Sequence, residues 1–360
     1  MARETTGGGI VGWFCTYTPE EIIYAAGFVS YRLLPHHNDC NSSVEDALPA
    51  SVCPYPRKIL NNIRSGIYHN LEGVVVANSC NSMMHLYNVL KEENGLFVYL
   101  LDIPRQQDER ATAYFARELE LLANYLGRRG RPVNSDNLTG SLSIYRQRNK
   151  LLDRAVKHSV SDNFNHTFPE GLFGLSLEAA TTDPEKMNNR LAALLEKINP
   201  VEKTERNNSI ALMLAGGLPP QGLIKMLTDL PELNLYPENC AGLRYLQKPQ
   251  AAFDHDQDPA QTNNLYLSIA RAYLEKPPCP RVFNRQAREE YYRSLLDSLK
   301  VQGVIYHDLM FCDLCHYDYL MLQTLLTEKE IPHLKIKTEL GEEDVGQLMT
   351  RIEAFLEIIA

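Results

Sequence analysis

The sequence predicts an α/β protein with two parallel-sheet domains joined by a helical segment, and three observations predict it. Short, continuously apolar runs alternate with helical stretches over the first third of the chain. The middle keeps a helical period with no convincing strand. The alternation then resumes towards the C-terminus. Runs that are apolar throughout belong to strands covered by helices on both faces, which is the signature of a parallel sheet. At 360 residues the chain is also long for one hydrophobic core, so two domains are the default.

Each element has a local reason. Gly9–Phe14 reads as a buried strand, and Thr18-Pro19-Glu20-Glu21 then opens a helix. Thr18 suits the N-cap, Pro19 the first helical position, and Glu21 the carboxylate of a capping box. The helix stops near Gly27 and Phe28–Leu34 follows as a strand. Gly73–Ala77 and Leu96–Leu101 are further strands, with a helix over Ser82–Lys91 between them. From Asp108 to Leu126 the positions Phe115, Leu119, Leu122 and Leu126 keep helical spacing up to a stop at Gly127. Helical character persists from Asn137 to about Pro200. Ser209–Leu214, Gly303–Tyr306 and His333–Lys337 are the strands of the second sheet. The last helix carries an apolar stripe of Val345, Leu348, Met349, Ile352, Phe355, Leu356 and Ile359. Glu342, Glu343 and Asp344 sit at its start, where the helix dipole favours negative charge. The expected division is residues 1–130 and 205–360 for the α/β domains and 131–204 for the helical connector.

A formal net charge of -9 argues against a general nucleic-acid binder, which needs clustered cations to displace counterions. The apolar stretch Ile10–Phe14 is too short for a signal-peptide core or a membrane span, and no later stretch is long enough. A soluble, cytoplasmic protein that does not engage membranes is the expectation.

The eight cysteines carry the functional signal. In a reducing cytoplasm they are core residues, redox-active thiols or metal ligands rather than disulfides. Cys15, Cys80, Cys240 and Cys312 follow Phe14, Ala77, the short run Asn234-Leu235-Tyr236, and the strand beginning at Gly303. They therefore fall on the carboxyl edge of the two sheets, where open parallel sheets bind ligands. Cys53 and Cys279 precede prolines in loops. Core cysteines usually lie inside strands or on apolar helix faces, and these six do not. Taken singly, each is more often a bland buried residue; the six-fold coincidence points to ligands. Thiolates select zinc, copper(I) or iron–sulfur clusters. Structural zinc sites use compact pairs, and only Cys312-Asp313-Leu314-Cys315 has that spacing. Ligands scattered over almost the whole chain suit a large group between domains, whose type spacing alone does not name.

The chain resembles the 2-hydroxyacyl-CoA dehydratase and benzoyl-CoA reductase superfamily, most closely its double-cubane cluster protein branch. The resemblance rests on Gly12-Trp13-Phe14-Cys15-Thr16-Tyr17-Thr18-Pro19-Glu20-Glu21, on Leu48-Pro49 leading to Cys53-Pro54, and on Val74-Val75-Val76 leading to Cys80. It continues through Tyr236-Pro237-Glu238-Asn239-Cys240, Phe311-Cys312-Asp313 and the tail from Asp344 to Phe355. It implies two Rossmann- or flavodoxin-like domains with a cluster in the cleft between them. Cys53, Cys80 and Cys312 match the three ligands of a single 4Fe-4S cubane in dehydratase subunits. Cys15, Cys240 and Cys279 match the extra ligands of the double-cubane branch, whose 8Fe-9S cluster joins two cubanes through a sulfide. Cys315 is an alternative to Cys312, and Cys40 is expected to be structural.

The resemblance further implies an anaerobic, ATP-dependent iron–sulfur reductase that takes low-potential electrons from a separate ATP-hydrolysing 4Fe-4S activator, reduces small molecules and forms a homodimer. The alternatives are a single-cubane subunit of a 2-hydroxyacyl-CoA dehydratase and a non-enzymatic cluster carrier. No Gly-x4-Gly-Lys-Ser/Thr loop occurs, so ATP belongs to the partner. The chain departs from the family pattern in two places: a missing or very short N-terminal helical extension, and a short stretch between Cys53 and Cys80. Both leave the cluster edge more open. Ala215-Gly216-Gly217 reads as a tight turn before a phosphate cradle. His85 reads as an ordinary helix residue, and His307 and His316 are weaker candidates for proton donors.

Overall fold

The computed structural model describes residues 8–35, 44, 46–158, 168, 170–197, 210–247, 262–340 and 345–360. Among them lie two four-stranded sheets, parallel throughout, and thirteen helices. The first half runs β1 (Ile10–Trp13), α1 (Glu20–Ala25), β2 (Val29–Arg32), α2 (Pro54–Arg64), β3 (Leu71–Ala77), α3 (Asn81–Leu90), β4 (Phe97–Leu101) and α4 (Glu109–Gly127). Three helices follow, α5 (Ser135–Lys157), α6 (Gly171–Thr181) and α7 (Pro184–Lys197). The rest comprises β5 (Ile210–Gly216), α8 (Gln221–Thr228), β6 (Leu233–Glu238), α9 (Leu243–Leu246), α10 (Thr262–Glu275), α11 (Arg285–Ser298), β7 (Gly303–Leu309), α12 (Asp313–Glu328), β8 (His333–Thr338) and α13 (Val345–Ile359).

The strand orders are β2-β1-β3-β4 and β6-β5-β7-β8, the same order twice. In each sheet the order reverses between the first and third strands, which opens a crevice at their carboxyl ends. β6 is a full edge strand where the sequence offered only a short run. Its Pro237 is tolerated because an edge strand has one unpaired side. The strands predicted at Ser209–Leu214 and Gly303–Tyr306 extend further, to Gly216 and Leu309.

The capping box expected at Thr18 does not form. Pro19 occupies the N-cap, and no side chain caps the helix. The carboxylates are drawn elsewhere: Glu20 pairs with Arg148, and Glu21 accepts a 2.6 Å bond from the Tyr273 hydroxyl. Two buried long-range bonds outcompete one local bond worth about 1 kcal/mol. The acidic start proposed for the last helix, Glu342 to Asp344, lies outside the described residues, as does Cys40.

One apolar core runs between the sheets, joining Trp13 and Val75 of the first to Met213, Val304 and Tyr306 of the second. Separate cores fill the outer faces, under α2 and α3 on one side and under α8 and α13 on the other. α6 packs against both edge strands, β2 and β6. α10 follows the second sheet's opening βα units in sequence yet packs on α4 of the first half. Gln107 bonds to the Leu274 carbonyl at 2.5 Å, and Phe283 N–H donates to the Arg105 carbonyl at 2.7 Å. This docking carries the Cys279 loop over to the first sheet.

Candidate functional site

Three of the six predicted cysteines are N-caps. Cys53 opens α2, Cys80 opens α3 and Cys312 opens α12. Pro54 explains the first boundary, since it forces an extended Cys53 and is itself suited to the first helical turn. A helix N-terminus presents unpaired N–H groups and a partial positive charge, so each helix can stabilise a thiolate at its cap.

The three meet. Cys53 and Cys312 are joined by a side-chain hydrogen bond, and Cys80 is an electrostatic neighbour of both. All three line one open cavity of about 920 Å3. Cys315 Sγ lies 3.4 Å from Cys312 Sγ. Hydrogen bonds from Cys315 and Cys53, then from backbone amides at the start of α12, hold the Cys312 thiol down at about 3. The same bonds and burial push Cys53 and Cys315 up. Cys80 is raised by burial to about 11, against backbone bonds at Ser82 and Met83. Of the three thiols, Cys312 is the one whose surroundings favour the ionised form. Cys312 faces the cavity; Cys315 is turned towards Gly217 and is not among the cavity's lining residues.

Cys15, Cys240 and Cys279 occupy turns after β1, β6 and α10. Cys15 and Cys279 are electrostatic neighbours, Cys15 is also a neighbour of Cys80, and Tyr55 lies within range of both Cys15 and Cys240. Five of the six thiols are thus linked as neighbours, and Cys240 joins them through Tyr55. Burial, first of all, pushes Cys15 up, and Arg281 is the strongest opposing charge.

Two arginines, singled out by no sequence motif, flank this second trio. Arg32 is 1% exposed and lies beside the stacked pair Trp13 and Tyr245, 5.3 and 5.9 Å from their ring centroids. It donates to the Cys240 carbonyl, and its other terminal nitrogen is 3.3 Å from Cys240 Sγ. Arg281, equally buried, donates to the carbonyls of Ile103 and Pro104 and lies over the Tyr17 ring. Each has a buried Nε–H with no hydrogen-bond partner. Among the described residues neither has a carboxylate partner, whereas the other buried arginines do: Arg148 with Glu20, Arg244 with Glu238 and Arg288 with Asp318. Lys276 adds a cation beside Cys15, bonded to the Thr16 carbonyl. A charged residue inside the predicted strand Phe28–Leu34 was the one available signal for Arg32.

The remaining candidates resolve plainly. Gly216 has φ +102°, and a Cβ there would sit 2.4 Å from the His307 carbonyl oxygen, so the turn is a close backbone approach. His307 is no proton donor to the cavity. It is fully buried between Gly217 and Thr338, and burial lowers it to about 4. His316 is largely exposed and faces Asp308 at 3.3 Å, and His85 is exposed on α3.

Among the described residues no three His, Cys, Asp or Glu side chains close on a point as they would around a single ion. The thiols are spread more widely, on helix caps and turns, with the buried guanidiniums of Arg32 and Arg281 near Cys240 and Cys15. That donor chemistry fits a polynuclear, sulfur-rich, anionic group. No helix among the described residues is long and apolar enough to cross a membrane.

The YjiM protein of Escherichia coli (strain K12) is 24% identical over 377 residues, covering 100% of this chain and 94% of YjiM. The beta subunit of (R)-phenyllactyl-CoA dehydratase from Clostridium sporogenes is 21% identical, covering 99% of this chain and 93% of that protein. A component of benzoyl-CoA reductase from Thauera aromatica is 23% identical, covering 91% of this chain and 85% of its own length. The family model for the D-component of 2-hydroxyglutaryl-CoA dehydratase matches residues 15–359, from the first of the six cysteines to the last helix, and the chain belongs to that family.

Proposed function

We propose that the protein is an ATP-dependent iron–sulfur reductase component holding a double-cubane 8Fe-9S cluster on Cys15, Cys53, Cys80, Cys240, Cys279 and Cys312. It takes low-potential electrons, one at a time, from a separate ATP-hydrolysing activator with its own 4Fe-4S cluster, and reduces small molecules. It works in the cytoplasm as a homodimer. The observation that carries this reading is the pair of buried, carboxylate-free arginines at the second cysteine trio. A buried charge is expensive unless compensated, by several kcal/mol per ion. An anionic cluster spanning both trios supplies that compensation; a cubane on Cys53, Cys80 and Cys312 alone leaves it undone.

When bound, the cluster supplies reversible one-electron storage at low potential. The chain does the rest. The N-termini of α2, α3 and α12 orient Cys53, Cys80 and Cys312 into the cavity, where they would ligate the cluster as thiolates. The apolar wall of Phe283, Phe311 and Tyr317 limits water at the cavity mouth and leaves room for a small molecule. Arg32 and Arg281 hold charge at the inner trio. Cys315 keeps Cys312 ionised through their shared hydrogen bond.

The second reading is a single-cubane subunit of a 2-hydroxyacyl-CoA dehydratase, paired with a homologous subunit. It is favoured by the dehydratase relatives and by the fact that only the first trio lines the cavity. Iron and sulfide analysis of anaerobically prepared protein decides. The double cubane requires about eight irons per chain, falling sharply in Cys240→Ser; the single cubane gives about four, indifferent to Cys240→Ser. Reduction by an activator only with ATP present tests the enzymatic role against a passive carrier.

A further inference from the structure

We infer that Arg32 and Arg281 are positioning residues that make the half of the cluster on Cys15, Cys240 and Cys279 the easier half to reduce. The inference rests on the double-cubane reading above. Its basis is an asymmetry between the two trios. Around Cys53, Cys80 and Cys312 the partners are other thiols and backbone amides, and these sulfurs border an open cavity whose arginines are either exposed, Arg105 and Arg285, or paired with a carboxylate, Arg288 with Asp318. Around the other trio stand two arginines without carboxylates, both about 1% exposed, one of them 3.3 Å from a ligand sulfur.

Reduction adds one negative charge. A fixed cation in a low-dielectric interior stabilises that charge strongly, and a donor bonded to ligand sulfur does so further. Arg32 lies beside the stacked Trp13–Tyr245 pair and is tied to Cys240 by both terminal nitrogens, so little reorganisation accompanies the change. The step balances simply. A reduced low-potential donor loses one electron and the cluster gains it, with no bond made or broken. The guanidinium charge offsets the new one, so no proton is taken up.

The test is a redox titration of anaerobically loaded protein, followed by EPR, with iron and sulfide counted on the same samples. Wild type should show two separate one-electron waves. Arg32→Met and Arg281→Met should each lower the upper wave by tenfold or more in equilibrium constant, ~59 mV for one electron, and leave the lower wave in place. Arg32→Lys, which keeps the charge, should retain most of the wild-type value. If Arg32→Met loads poorly, Arg281→Met and Arg32→Lys carry the comparison. Fully loaded Met variants with an unmoved upper wave overturn the inference and leave the double-cubane reading standing. About four irons in wild type overturn that reading itself.

Discussion

The bidentate pair between Glu20 and Arg148 offers a direct measure of what ties the first sheet's opening helix to the helical segment that follows. Glu20 opens α1, Arg148 sits in the middle of α5, and the same carboxylate accepts a 3.2 Å bond from the Tyr245 hydroxyl. Both side chains are 1–2% exposed, and the shortest approach is 2.9 Å. At that distance an effective dielectric of ~20 gives an attraction of about 6 kcal/mol. Desolvation cancels much of it, but removing one partner strands the other charge and costs about 3–5 kcal/mol. Glu20→Gln and Arg148→Met should each destabilise by that amount. The double variant should lose distinctly less than the sum, since neither charge is then stranded. Urea unfolding under anaerobic conditions reads this, with Trp13, the chain's one tryptophan, as the fluorescent reporter stacked on Tyr245. Single variants within about 1 kcal/mol of wild type, or strictly additive losses, would refute the argument.

Other outcomes follow from the same geometry. Unfolded histidine binds its proton near pH 6.5 but buried His307 only near 4, so the unfolded chain binds more protons in between. The stability owed to neutral His307 is therefore complete above pH 6.5 and declines by about 3 kcal/mol as pH falls to 4. Denaturation midpoints measured across that window should show the decline, and His307→Gln should flatten it. Gly216→Ala forces a Cβ into the His307 carbonyl at a positive φ and should cost about 2–3 kcal/mol, read as a lowered melting temperature. Cys315→Ala removes the hydrogen-bond partner of Cys312. It should slow alkylation of Cys312 at neutral pH in metal-free protein, as mapped by mass spectrometry.

The sequence was most readable where local pattern and tertiary role coincide. Val74-Val75-Val76 and Ile210 to Leu214 announce buried parallel strands because nothing else places so many apolar residues in a short row. The cysteines were legible for the same reason, since strand-to-helix turns fix where a side chain emerges. What escaped notice depends on distant partners. Thr18 and Glu21 satisfy the rule for a capping box, yet Glu20 and Glu21 reach Arg148 and Tyr273, more than 120 residues away. β6 was underread because Pro237 and two polar residues mask an edge strand. Arg281 carries no local signature of burial, and Arg32 only its place inside a predicted strand. The crossing of α10 onto α4 is invisible to periodicity, because an amphipathic helix shows which face is buried but not against what.

That crossing has a practical meaning for anyone who dissects the molecule. A fragment stopped after α7 would bare to water the flank of α4 that α10 covers, along with the backbone groups bonded by Arg281 and Phe283. The complementary fragment would retain α10 with no surface to rest on. Cleavage of this chain in the middle yields two incomplete pieces, and recombining them is the way to recover a native surface from either.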